Sequence, residues 1–149
     1  MKFTCSVEIK QPIARVTELF DAPNNLKEWQ DGFVGIEHLS GRPGQPGAKS
    51  KLIYNIKNKE MELIETIIKK DLPREFSATY EHEHMTNTMS NRFTSLGSNL
   101  TKYDAEIEYT QFNGFLVKMM AFLFPGMFKK QVQKWLDQFK AFAEKADNG

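Results

Sequence analysis

Cysteine is almost absent: Cys5 stands alone among 149 residues, so no intramolecular disulfide forms and no thiol cluster can hold a structural zinc. A reducing, cytoplasmic setting is expected. Net charge is also small, at +1, with Lys and Glu interspersed. There is no basic stripe to neutralise phosphates, which argues against a nucleic-acid partner. The opening MKFTCSVEI alternates at once and lacks the continuous apolar run of an export leader. The longest apolar-rich run, Phe115 to Phe128, falls short of the roughly 20 residues that cross a bilayer, and it contains Lys118 and a Pro-Gly pair. Motifs that carry chemistry are sparse too: G-x-S-x-G, paired C-x-x-C and H-E-x-x-H do not occur. The stretch GRPGQPGAKS has Ala48 where a phosphate loop carries glycine, and its two prolines lack backbone donors, so it reads as a hairpin loop. No cofactor and no metal are expected.

The length suits a single domain, 1–149, able to bury roughly two thirds of its unfolded surface. Phe3, Cys5, Val7 and Ile9 alternate with polar residues, the period of a strand with one buried face. Pro12 then opens a helical pattern through Ile13, Val16, Leu19 and Phe20, and Leu26 with Trp29 predicts a second short helix before Gly32. From there to Phe112 the spacing predicts strands at 33–40, 48–57, 60–70, 74–84, 87–95 and 100–111, with turns at GRPGQPG, KNK, DLPR, HMTN and LGSN. After Gly114 the period is helical again, with Phe128, Val132, Trp135, Leu136, Phe139, Phe142 and Ala143 on one stripe and a break expected near Phe124, ahead of Pro125.

This order is α+β: a seven-stranded curved antiparallel sheet wrapped around a long C-terminal helix, with two short helices between strands 1 and 2. One helix cannot fill the hollow of so wide a twisted sheet, so a cavity is expected between them. The residues carry a resemblance at this point. Pro12, Val16 and Phe20 in the first helix, the D-A-P-x-N-x-x-x-W stretch from Asp21 to Trp29, the following Gly32, the GRPGQPG hairpin, Pro73 and the long last helix resemble the START-like superfamily, also called SRPBCC or polyketide cyclase/dehydrase-like, with its helix-grip fold. The resemblance implies a deep hydrophobic pocket, used by different members for lipids, sterols, polyketides, plant hormones or a chaperone contact. It implies no common catalytic residue.

Strand alternation nominates the side chains for such a pocket. Phe76, Tyr80 and His82 share one face of their strand, as do Met89, Asn91 and Phe93 of the next and Tyr103 and Ile107 of the last. If Met89, Asn91 and Phe93 face the pocket, Arg92 faces solvent; a register slip of one would turn it inward, where its planar fork could clamp a ligand carboxylate. Trp29 and Tyr54 join them. A tyrosine there offers an apolar body and one polar tip to orient a ligand. Met119, Met120, Leu123, Phe124 and Phe128 lie on a segment too apolar all round for a surface helix, and they read as a soft roof over the cavity. His82 and His84, two apart, have metal-ligand chemistry but no evident third ligand, and an alternative puts both in water at the strand end. Glu65 sits in MELIETII, which is apolar on both faces and suggests a bulge, so alternation leaves its direction open. Turned inward, its carboxyl would have a raised pKa and could act as a general acid or base.

Three functions fit these features: binding of a small hydrophobic molecule as carrier or sensor; cyclase or dehydratase chemistry steered by Glu65, Tyr80 or His82; or an interaction module in which residues 115–128 make transient membrane contact. Monomer and homodimer are both compatible with the sequence.

Overall fold

The computed structural model describes residues 1–146. Strand β1 (Lys2–Ile9) buries Cys5 and Ile9 on one face and exposes Lys2, Thr4, Ser6 and Glu8 on the other. Helix α1 (Ile13–Phe20) begins directly after Pro12, whose fixed φ suits a helix start, and buries Val16 and Leu19. A 3-10 turn (Pro23–Asn25) leads into the single helical turn α2 (Leu26–Trp29), which ends in the buried Trp29. Six strands follow: β2 (Phe33–Ser40), β3 (Lys49–Ile56), β4 (Lys59–Asp71), β5 (Glu75–Glu81), β6 (Met85–Gly97) and β7 (Leu100–Phe112). They close with β1 into one antiparallel sheet of order β1-β7-β6-β5-β4-β3-β2. The chain ends in α3 (Phe115–Leu123) and α4 (Pro125–Lys145), separated at Phe124. Seven curved strands, short helices between the first two and a long last helix make this an α+β helix-grip fold.

The turns follow local chemistry. Lys57 and Asn58, both at positive φ, form the two-residue β3–β4 hairpin, whose backbone twist matches that of the strands it joins. Gly32 has φ +83°, and a Cβ there would stand 2.7 Å from the Asn55 carbonyl oxygen.

Register shifts at Val34, Leu39, Ile68 and Leu96 leave each of these residues exposed. An extra residue bends a strand and turns its side chain outward, so the apolar doubling of MELIETII is a bulge at Ile68. That bulge lets Ile67 face in and Ile68 face out.

Helix α4 buries Val132, Leu136, Phe139 and Ala143, a stripe at helical spacing packed against β1 and α2. Phe139 is the hub: its ring lies 5.1 Å from Trp29, 6.1 Å from Phe20 and 5.7 Å from Tyr103, each edge to face. Polar bonds lock the same end. The Gln11 side-chain amide donates to the Ala143 carbonyl at 3.0 Å, and Lys140 Nζ donates to the Glu8 carbonyl at 2.6 Å.

Two expectations need correction. The strand expected at 74–84 stops at Glu81, and the turn is His82–His84 in place of HMTN, because Met85, Thr86 and Asn87 pair with β7 and extend β6. Residues 115–124 do not cover the sheet: α3 buries no residue.

Truncating the hub should be costly. Phe139→Ala is expected to lower unfolding free energy by about 3–5 kcal/mol in urea denaturation, whereas Phe122→Ala on α3 should change it by less than about 0.5 kcal/mol.

Candidate functional site

A cavity of about 470 Å³ lies between the α1–α2 segment and the inner face of β2–β6. Phe20, Leu26 and Trp29 wall one side, and Ile67, Phe76 and Met89 the other. Its exposed lining residues, among them Asp21, Pro23, His38, Pro43 and Gly44, mark the mouth between the 3-10 turn and the β2–β3 loop. Lys70 spans that mouth, with Nζ 3.2 Å from Asp21 Oδ1.

Cross-strand register builds a polar row through the cavity. His38 pairs with Ser50, Ser50 with Glu65, and Glu65 with Tyr80, so four adjacent strands present these side chains side by side. All four line the cavity. Glu65 therefore faces inward, which alternation alone had left open. The Tyr80 hydroxyl donates to Glu65 Oε2 at 2.8 Å. Burial raises the Glu65 carboxyl above its usual range, and the Tyr80 hydrogen bond pulls it partly back. Burial and the Glu65 charge together push Tyr80 well above the ordinary phenol, so it stays a neutral donor.

A second polar pair sits deeper. The Tyr103 hydroxyl donates to Asn91 Oδ1 at 2.6 Å, and Asn91 Nδ2 donates to the Phe76 carbonyl at 3.2 Å. These groups satisfy one another and fix the floor. Trp29, also on the wall, is buried, and its indole N–H has no partner among the described residues. The cavity thus offers an apolar body and one carboxyl whose second oxygen has no hydrogen-bond partner among the described residues.

Of the residues nominated by sequence, Trp29, Glu65, Phe76, Tyr80, Met89, Asn91 and Tyr103 lie on this wall. Tyr54, Phe93 and Ile107 are buried in the core but not on the wall, and Tyr54 donates to Gln30 Oε1 at 2.7 Å. His82 is corrected: it occupies the β5–β6 turn, off the cavity, where its Nδ1 accepts the His84 backbone N–H at 3.2 Å. Burial, with the His84 charge second, lowers its pKa. Met119, Met120, Leu123 and Phe124 are corrected as well, being exposed and away from the cavity. Phe128 packs on Tyr109 and Phe112, with ring centroids at 4.9 and 6.1 Å, and lines no cavity. Arg92 faces out, 3.6 Å from Glu75 and 3.8 Å from Glu106. His38, Ser50 and the Asp21–Lys70 gate were missed. An inward Glu65 would have exposed the first two through register, but the bulges at Val34 and Leu39 break the alternation of β2.

No family model matches the chain, and no curated protein matches it. Solved structures do match over nearly its whole length. The Zhui aromatase/cyclase from a Streptomyces species superposes with a TM-score of 0.80 at 9% identity, covering 97% of this chain and 94% of that one. A conserved protein from Geobacillus kaustophilus gives 0.79 at 14% identity, covering 97% and 96%. A START superfamily protein from Mycobacterium smegmatis gives 0.65 at 15%, covering 92% and 97%. The chain has the START-like helix-grip fold.

The raised Glu65 carboxyl makes a signed prediction. Where the folded protein holds a proton that the unfolded chain has lost, stability falls with rising pH. The fall begins near the ordinary carboxyl pKa and ends above the folded one. Glu65→Gln should remove this fall, so its unfolding free energy should gain on the wild type across that window and then run parallel. Urea titrations at a series of pH values measure it, and curves parallel throughout would contradict it.

Proposed function

We propose that this protein binds a small, mostly apolar molecule with one polar end, as carrier or sensor, in the cavity between the α1–α2 segment and the sheet. The observation that carries this reading is the meeting of apolar walls with the inward Glu65–Tyr80 pair in one hollow of about 470 Å³. That volume lies within the roughly 300–1,000 Å³ of small-molecule sites, and a few convergent polar groups on apolar walls are what such sites use for orientation. Tyr80 occupies one Glu65 oxygen, leaving the other to accept from a ligand hydroxyl or amine.

A second reading is enzymatic, and the same pair favours it. A carboxyl shielded from water and raised in pKa is a candidate for proton transfer, and a phenol beside it holds it in one orientation. Aromatase/cyclases are among the matching folds. His82 has no part in this chemistry, being outside the cavity.

Ligand extraction with mass spectrometry, and displacement of a fluorescent apolar probe by candidate ligands, test the first reading. Ser50→Phe, which places a ring on the cavity wall, should weaken probe binding at least tenfold while the protein stays folded; unchanged affinity would place the ligand elsewhere. For the enzymatic reading, Glu65→Gln should abolish turnover of aromatase/cyclase-type substrates yet retain probe binding. Turnover surviving both Glu65→Gln and Tyr80→Phe would remove these residues from the chemistry.

A further inference from the structure

Helix α3 and the start of α4 form an apolar corner that nothing in the fold covers. Phe115 is 77% exposed, Leu116 68%, Phe122 83%, Leu123 55% and Phe124 58%. On α3 the exposed apolar residues Phe115, Leu116, Met119, Met120, Phe122 and Leu123 occupy an arc of about 160° at about 100° per residue, and Phe124 and Met127 continue the exposed surface past the break. So broad an apolar face needs a cover.

The charges along this segment have one sign, with Glu83 on the adjacent β5–β6 turn, whose carbonyl accepts from the Asn113 side-chain amide. From Tyr109 to Leu136 the chain contains Lys118, Lys129, Lys130 and Lys134 and no Asp or Glu. Lys134 is held by Asp31 at 2.9 Å, but among the described residues Lys118, Lys129 and Lys130 have no carboxylate partner. Their placement is also informative. Lys118 lies one turn before Phe122 on α3 and Lys129 one turn after Pro125 on α4, so cations flank the exposed tip on both helices. Cations flanking an apolar face seated in the interface meet the headgroups of anionic lipid. Among the described residues no helix is long and apolar enough to cross a membrane.

We propose that the α3–α4 corner docks shallowly into the interface of a membrane rich in anionic phospholipid, with Phe122, Leu123 and Phe124 as the inserted tip and Lys118, Lys129 and Lys130 at the headgroups. This docking rests on the corner alone and is independent of what the cavity holds.

Co-sedimentation tests it with two kinds of vesicle, one of phosphatidylcholine alone and one of phosphatidylcholine with phosphatidylglycerol. Wild-type protein should bind the mixed vesicles more tightly, and added salt should weaken that binding. Phe122→Asp should weaken it at least tenfold with an unchanged thermal midpoint, since that side chain is already exposed. Lys129→Glu with Lys130→Glu should reduce binding to the mixed vesicles by more than about fivefold, with little change on phosphatidylcholine. Wild-type protein that ignores both vesicles, or Phe122→Asp that binds like wild type, overturns the proposal. So does unfolding of Phe122→Asp, which would mean the corner is buried. Sizing chromatography completes the test: a wild-type dimer that Phe122→Asp converts to monomer, without vesicle binding, would assign the corner to a second copy.

Discussion

The contact of Phe139 with Phe20, Trp29 and Tyr103 governs the rest of the molecule. It joins the last helix, both short helices and β7 at one aromatic junction, and the Gln11 and Lys140 bonds reinforce that end. A helix fastened there lies along β1 and α2 and meets the far strands where Trp135 stacks on Tyr54 of β3 at 5.8 Å. Toward Ser50, Glu65 and Phe76 the inner face is roofed by the α1–α2 segment instead, and the hollow lies between the two. The cavity's position is thus a consequence of where the aromatic packing is tightest.

That position explains the unequal state of the two polar pairs. Asn91 and Tyr103 lie beside the junction, are nearly inaccessible to water and satisfy each other, as buried polar groups in a close-packed region must. Glu65 and Tyr80 lie farther toward β2, where the packing is open, and one carboxylate oxygen is left without a protein partner beyond Tyr80. A desolvated carboxyl weakens the fold when ionised, and Gln would avoid that penalty at nearly the same volume. The proposed ligand would supply that carboxylate oxygen with the partner the protein does not.

Much of this was legible in the sequence. Period-two alternation in β5, β6 and β7 assigned Phe76, Tyr80, Asn91 and Tyr103 to the inner face, because those strands carry few irregularities over that length, whereas the facing of Arg92 hung on a register that the pairing of β6 with β5 and β7 decides. The break at Phe124 followed from Pro125 alone. Legibility failed where physics beyond the local pattern decided. In β2 and β4, bulges shift the phase of alternation, and this hid Glu65, Ser50 and His38. At His82 the strand end was set by pairing between β6 and β7, a long-range matter. The apolar run at 115–128 was read as a cavity roof because an apolar helix needs a cover, but hydrophobicity says that a cover exists and not which one.

Register also relates the cavity to the α3–α4 corner. The cavity mouth lies at the β2–β3 loop and Lys70. Phe128, at the base of the α3–α4 corner, packs on Tyr109 and Phe112. Register carries the polar row His38–Ser50–Glu65–Tyr80 on through Asn87 to that same Tyr109, while Lys70 is level with Ala105 by way of Phe76 and Asn91. The cavity's carboxyl and the base of the corner thus share one line across the sheet. A change in how the corner is seated would reach the Glu65–Tyr80 pair along that row.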